Sequence, residues 1–255
     1  QKKLLEKQLW NIADILRGKM GADEYRDYVL GFIFFKCPFE NKCKLKWKKT
    51  ALLLSIALLV SMVFPSCSFS SKEVKIGDQV WMSENLNVDK FRNGDAIPQI
   101  KTSEDWKEAF KDRKPAWCYY DNDPTNGEEY GKLYNWFAVN DSRGLAPEGF
   151  HIPSDAEWTT LEKHLGDGAG KKMKSTSGWL WKGNGTNKSG FSGLPGGFLV
   201  GGGEFDSIDA FAYWWSSTEY DTHNARYRFL SFNNDILNKK YGSKTNRFSV
   251  RCIRD

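Results

Sequence analysis

The residues with chemical potential are few and scattered. Three histidines, His151, His164 and His223, and five cysteines, Cys37, Cys43, Cys67, Cys118 and Cys252, make up the nucleophile and soft-ligand inventory. Cys37 and Cys43 stand in a basic stretch without a neighbouring histidine, which does not fit zinc-ligand spacing. No serine or cysteine has a base at a recognised spacing, so nucleophilic catalysis has no candidate and no catalytic residue is assigned. The loop at residues 121–129, DNDPTNGEE, is oxygen-rich. It offers calcium the hard ligands it prefers. Asp, Asn, Pro and Gly are also what an Asx turn requires, and that reading is preferred here. No metal or cofactor is therefore expected. His151 precedes a helix start and reads as a hydrogen-bonded structural residue, His164 falls on the outer side of that helix, and His223 lies in a polar loop.

The strongest positional chemistry belongs to Cys67. It follows an apolar run at residues 51–64, ALLLSIALLVSMVF, which is itself preceded by the basic string KCKLKWKK at 42–49. A positive region, an apolar region and a small residue (Ser66) before a cysteine describe an export signal with a lipidation site. The run is short for a membrane span, which needs roughly 20 residues. An uncleaved anchor helix is the alternative.

Charge divides the chain in the same place. Residues 1–49 hold 12 Lys/Arg and 6 Asp/Glu, whereas the chain after Ser66 holds 25 and 26, a net of −1. A near-neutral main domain excludes a basic nucleic-acid face, so no nucleic-acid partner is expected for it. It carries nine of the eleven tryptophans. Large rings interleaved with turn residues predict a core built from aromatics.

The elements follow from pattern. Leu5, Leu9, Ile12 and Leu16 form one apolar stripe, and Tyr25, Tyr28, Val29, Phe32 and Phe35 another, predicting a short helical hairpin near the start. Residues 74–81 alternate around Gly77-Asp78, a hairpin signal. Ser103 is placed to cap a helix through Trp106, Ala109 and Phe110. Ser154 and Glu157 form a capping box before Trp158, Leu161 and Leu165, with Gly166 as the stop. Beyond Gly178 only short aromatic strands remain: 198–200, 212–215, 226–230 and a strictly alternating 248–253. Trp214 and Trp215 point to opposite faces, one to the core and the other to a sugar ring or the sheet's cover. The whole is an α+β pattern.

Two resemblances add to this. LEKQLWNIADILRGKMGADEYRDYVLGFIFFK, residues 5–36, resembles the opening helices of the modification subunit of type I restriction–modification systems, an adenine methyltransferase family. No Asn-Pro-Pro-aromatic motif for a flipped adenine follows anywhere, so this piece reads as an inactive fragment. Further on, QVWMSENLN (79–87), YGKLYNW (130–136), GFHIPSDAEWTTLE (149–162), SGFSGLPGGF (189–198), YWWSSTEY (213–220) and FSVRCIRD (248–255) occur in order. Together they resemble the Fibrobacter succinogenes major paralogous domain of secreted bacterial lipoproteins. That resemblance implies a C-type-lectin-like fold, similar to the domain of formylglycine-generating enzymes, whose oxidoreductase chemistry is a remote third alternative because no paired thiol accompanies Cys252. Where family members carry Cys-Pro-x-Gly-Trp-His, this chain has Ala146-Pro147-Glu148-Gly149-Phe150-His151. Cys252 is then either paired with Cys118 or free.

The domain plan is residues 1–36 methyltransferase-like helices, 37–49 a basic junction, 50–66 the signal, 67–73 a lipid-anchored tether and 74–255 the lectin-like domain. The expectation is a cell-envelope protein held by lipid at Cys67 on the outer membrane or cell surface, with a non-catalytic binding or structural role. A protein or glycan ligand is expected at the polar loops 220–224 and 233–240, through Tyr220, Asp221, His223, Asn224, Asn233, Asn234 and Lys239.

Overall fold

A computed structural model describes residues 72–200 and 204–255. The expected N-terminal helices, the basic junction, the apolar run and Cys67 lie outside the described residues. The fold within them is mixed α and β, with most of its order in sheets.

The hairpin at the start forms as its alternation requires: β1 (Glu73–Ile76) pairs antiparallel with β2 (Gln79–Met82). Gly77 closes the turn at φ +63°, where a side chain would be strained and would also meet the His164 ring. The helix expected from Ser103, α1 (Ser103–Lys111), starts one residue earlier in capping terms. Thr102 rather than Ser103 takes the Asp105 N–H. After the short strand β3 (Trp117–Cys118), Asp123 caps α2 (Pro124–Tyr130), with Pro124 in the first turn where its missing N–H costs nothing. The segment read as an oxygen-rich loop is thus largely a helix and its cap. Strand β4 (Leu133–Tyr134) pairs with β3, and α3 (Trp136–Val139) follows under an Asn135 cap.

After β5 (Phe150–His151), helix α4 (Asp155–Leu165) carries the capping box in full: Ser154 accepts from Glu157 N–H, and the Glu157 carboxylate accepts from Ser154 N–H. Trp158 and Leu161 are buried, and Gly166 terminates the helix at φ +63°. A last short helix is α5 (Ala169–Met173). The larger sheet comprises β6 (Gly196–Leu199), β7 (Phe205–Ile208), β8 (Phe211–Glu219), β9 (Asn224–Ser231) and β10 (Asn238–Ser243), in the order β10-β9-β8-β6-β7. The smaller sheet runs β1-β2-β11-β5, where β11 (Ile253–Arg254) is the C-terminal strand.

Two expectations about this region are corrected. Trp214 and Trp215 do point to opposite faces, but both are 0% exposed. Trp214 packs with Trp81, Trp158 and Phe191, and Trp215 with Tyr134, Trp136 and Phe248, so core covers both sides of β8 and neither ring can meet a sugar. The strand expected at 248–253 is confined to β11 at Ile253–Arg254, and the rest of the segment makes only isolated bridges. Every residue from Arg247 to Ile253 is buried. The segment bridges to Leu199, Tyr134 and Trp214 in turn, and accepts Leu86 N–H at Val250 O (2.8 Å) and Met82 N–H at Cys252 O (3.0 Å), before β11 joins β2 and β5. It laces the separate sheets together, and each backbone group therefore finds a different partner.

Threading an irregular segment through the core leaves many carbonyls outside any ladder. Long cationic side chains fill that gap. Lys174, 1% exposed, donates to Ser231 O and Asn234 O at 3.1 and 2.9 Å. Lys132 donates to Asn87 O and Oδ1 and lies over the Trp117 ring. Arg92 reaches the carbonyls of Ala146, Pro147 and Phe150. Arg228, wholly buried, is instead held by carboxylates, with Asp155 at 3.0 Å and Glu162 at 2.9 Å.

Candidate functional site

The thiols come first, because reactivity would begin there. Cys118 and Cys252 are free and buried, and they sit in different core clusters: Cys118 with Trp106, Ala116 and Leu133, Cys252 with Met82, Leu86 and Val250. The pairing that was one of two expectations is therefore not made, since each side chain fills its own apolar pocket. Burial pushes both thiols up to about 12. They remain protonated at neutral pH and present no thiolate.

His151 is held as expected of a structural histidine. Its Nε2 lies 2.7 Å from Glu157 Oε1 and its Nδ1 2.8 Å from Asp255 Oδ1. Partial burial pulls its pKa down, but the bonds to Glu157 and Asp255 outweigh burial and leave it above the usual histidine value. Burial likewise raises Glu157, and the Ser154 and His151 bonds more than offset it, leaving the carboxyl below its usual value. The signs give a stability window. The histidine contributes fully below its unfolded value near ~6.5, and its contribution is lost as pH rises through the higher folded value. The Glu157 contribution is present above its unfolded value and lost as pH falls through the lower folded one. Thermal melts of the wild type from pH 6 to 8 are expected to show a decline that His151→Gln abolishes; parallel profiles for the two proteins would contradict the pairing.

The ligand-facing loops named from sequence do not form one surface. The turn after β8 and the loop after β9 lie at opposite ends of β9, about 26 Å apart for eight residues at ~3.3 Å each. At the far end, Asn233 Oδ1 takes the Ser231 hydroxyl, Asn234 caps the Ile236 N–H, and Lys239 pairs with Asp155. These three fasten the loop and the adjoining strand to the domain.

The near end is different. Asp221 accepts N–H bonds from His223 and Asn224, both 2.8 Å, which shapes a tight turn and spends the carboxylate internally. Beside it, the Tyr220 and Tyr241 rings stack at 3.8 Å and 13°, and they are 44% and 50% exposed. The Arg226 guanidinium lies 4.5 Å from the centre of the Tyr220 ring. A groove of about 180 Å³ adjoins this turn, lined by Phe110, Arg113, Phe137, Thr222, His223 and Lys244. Tyr241 and Phe110 were missed in the sequence. Tyr241 alternates onto the same face as Arg226 only once β10 pairs with β9, in the register Tyr241↔Arg226.

A larger hollow of about 300 Å³ lies elsewhere, lined by Lys72, Ser83, Glu84, Asn85, Glu129, Ser192, Leu194 and Arg251. Arg251 closes its inner wall. The guanidinium gives its N–H bonds to Met82 O, Phe191 O and Asn85 Oδ1, so it serves as a brace between three segments. Among the described residues, no group of three His, Cys, Asp or Glu side chains is gathered to hold a metal.

Comparison with protein families decides the affiliation, because the Fibrobacter succinogenes major domain matches residues 74–254. The chain belongs to that family. Comparison with curated proteins and with solved structures returns no match. The family match begins one residue into β1 and ends with β11, so the Fibrobacter succinogenes major domain here spans all three sheets, the three core clusters and the aromatic turn after β8.

Proposed function

We propose that this chain is an exported bacterial surface protein, lipid-anchored at Cys67, whose Fibrobacter succinogenes major domain is a non-catalytic, C-type-lectin-like binding module. In this reading residues 50–66 are the export signal, and the methyltransferase-like residues 1–36 contribute no activity. The ligand is a protein or a glycan, taken at the turn after β8. The observation that carries the reading is the pair of half-exposed, mutually stacked tyrosines with Arg226 against them and a cation-lined groove alongside. Stacked rings present apolar faces to a sugar or a side chain at small entropic cost. Arg226 and Arg113 favour ligands with acidic groups, while Lys244 is already paired with Glu219. The inert thiols and the doubly engaged His151 support a role without chemistry.

The full chain probed on a glycan array and in pull-downs from envelope extracts tests this. Binding that falls at least tenfold in Tyr220→Ala/Tyr241→Ala supports the reading. Binding unchanged in that variant, or no enrichment over a variant with residues 220–224 scrambled, reduces the domain to a scaffold.

A further inference from the structure

The opposite end of β9 carries a feature the ligand reading leaves unused. Trp181 is 80% exposed, the most open of the large apolar side chains among the described residues. It occupies a corner of the turn closed by Gly183 N–H to Leu180 O (3.0 Å), with its backbone at φ +52°. A positive φ at such a corner favours glycine, and a bulky residue held there is strained. The chain accepts that strain and presents a tryptophan to solvent. The ring is also held in place, edge-on to Phe232 at 5.2 Å. Leu180 in the same turn and Ile236 in the loop after β9 are exposed as well, 37% and 58%.

The segment bearing Trp181 is basic. Residues 168–203 hold five lysines (Lys171, Lys172, Lys174, Lys182 and Lys188) and no Asp or Glu. Lys174 is spent inside the core, and Lys171, Lys182 and Lys188 are exposed. Lys182 sits in the turn next to Trp181. The nearby acids are Asp235, 3.7 Å from Lys171 and 3.6 Å from Lys174, and Asp209, whose carbonyl accepts the Leu180 N–H. A tryptophan flanked by aliphatic residues and lysines is the composition of a protein surface seated at the headgroup level of a bilayer.

Position points the same way. A lipid at Cys67 would leave six residues to Glu73, a reach of about 20 Å at ~3.4 Å per residue. The domain would therefore rest against the bilayer with the face near its first strand. Gly190, nine residues beyond Trp181, lies directly against Val74 of β1, which brings the end of this segment beside the start of the domain.

We infer that the patch of Trp181, Leu180, Ile236 and Lys182 is a membrane-contact face that seats the tethered domain on an anionic phospholipid surface, leaving the Tyr220–Tyr241 end pointing away. This rests on the anchoring reading above, and one experiment separates the two. The native product recovered from the cell envelope is mixed with vesicles of phosphatidylglycerol and phosphatidylcholine, and flotation reports anchoring. Quenching by lipids brominated near the headgroup is then measured for wild type and Trp181→Phe, and the difference isolates the Trp181 emission. Flotation with at least half of that difference quenched, and clearly less quenching for Lys182→Glu, is the expected result. Flotation with the Trp181 emission unaffected overturns the membrane face while leaving the anchor standing. A chain that does not float removes the anchor and this inference together.

Discussion

Replacing Arg251 with alanine is expected to lower the stability of the domain by about 3–5 kcal/mol, a drop in melting temperature of roughly 10 °C or more for a domain of this size. Arg251 is 1% exposed, and burial draws its guanidinium down to about 9, so it stays charged at neutral pH. It has no carboxylate within hydrogen-bonding distance. Its donors go to Met82 O at 3.1 Å, Phe191 O at 2.6 Å and Asn85 Oδ1 at 2.8 Å, and its plane lies 4.3 Å from the Phe191 ring centre. Alanine would take the donor from the Met82 and Phe191 carbonyls and leave Asn85 Oδ1 with only its bond from Trp214 Nε1 (2.8 Å). Each stranded buried group costs about 1–3 kcal/mol. Lysine is expected to recover less than half of the loss, because a single ammonium cannot bridge three segments as the planar fork does. Denaturant titration of the three proteins reads this directly; an alanine variant within about 1 kcal/mol of wild type would show that the brace is dispensable.

Trp158→Ala is expected to cost about 3–5 kcal/mol, the range for truncating a fully buried large aromatic. The Trp158 ring centroid lies 4.7 Å from that of Trp81, 5.9 Å from Phe191 and 6.2 Å from Trp214, at the centre of the cluster between α4 and the two sheets. Its ring N–H has no partner, so all of its contribution is apolar. Trp158→Phe therefore loses bulk without stranding an acceptor, and less than half of the alanine penalty is expected. Trp181→Ala provides the contrast, within about 0.5 kcal/mol of wild type, because that ring is exposed. Equal losses at Trp158 and Trp181 would contradict the assignment of core and surface.

The elements whose signals are local were legible in the sequence. The Ser154–Glu157 capping box, the Gly166 stop and the Gly77-Asp78 turn are each fixed within a few residues, and each appears where its spacing puts it. The helix after Asp123 was read as a loop because Asp, Asn, Pro and Gly serve a turn and a capped helix start equally well. Residues 248–253 form regular strand only at Ile253, and both faces of the segment are core: Phe248, Val250 and Cys252 enter one cluster, and Arg251 lies against Phe191 and Trp214 of another. Arg247, Ser249 and Arg251 consequently lie inside, satisfied by carbonyls and rings that only the tertiary fold brings near.

The surface was legible in part. Tyr220 and Asp221 were placed correctly in an exposed turn, but Tyr241 joins them through strand register, which one sequence does not display. Asn233 and Asn234 were read as ligand-facing from their polarity, and the structure uses them to hold the loop that carries Ile236. Neither end of β9 could be told from the other without the order β10-β9-β8.

Export and lipid attachment underlie the proposed role, and the intact mass of the native product in the cell-envelope fraction tests them most directly. The account predicts a polypeptide that begins at Cys67 and carries the added mass of acyl chains. Recovery of an unprocessed, unacylated chain that retains residues 1–66 from the soluble cytosolic fraction would contradict it.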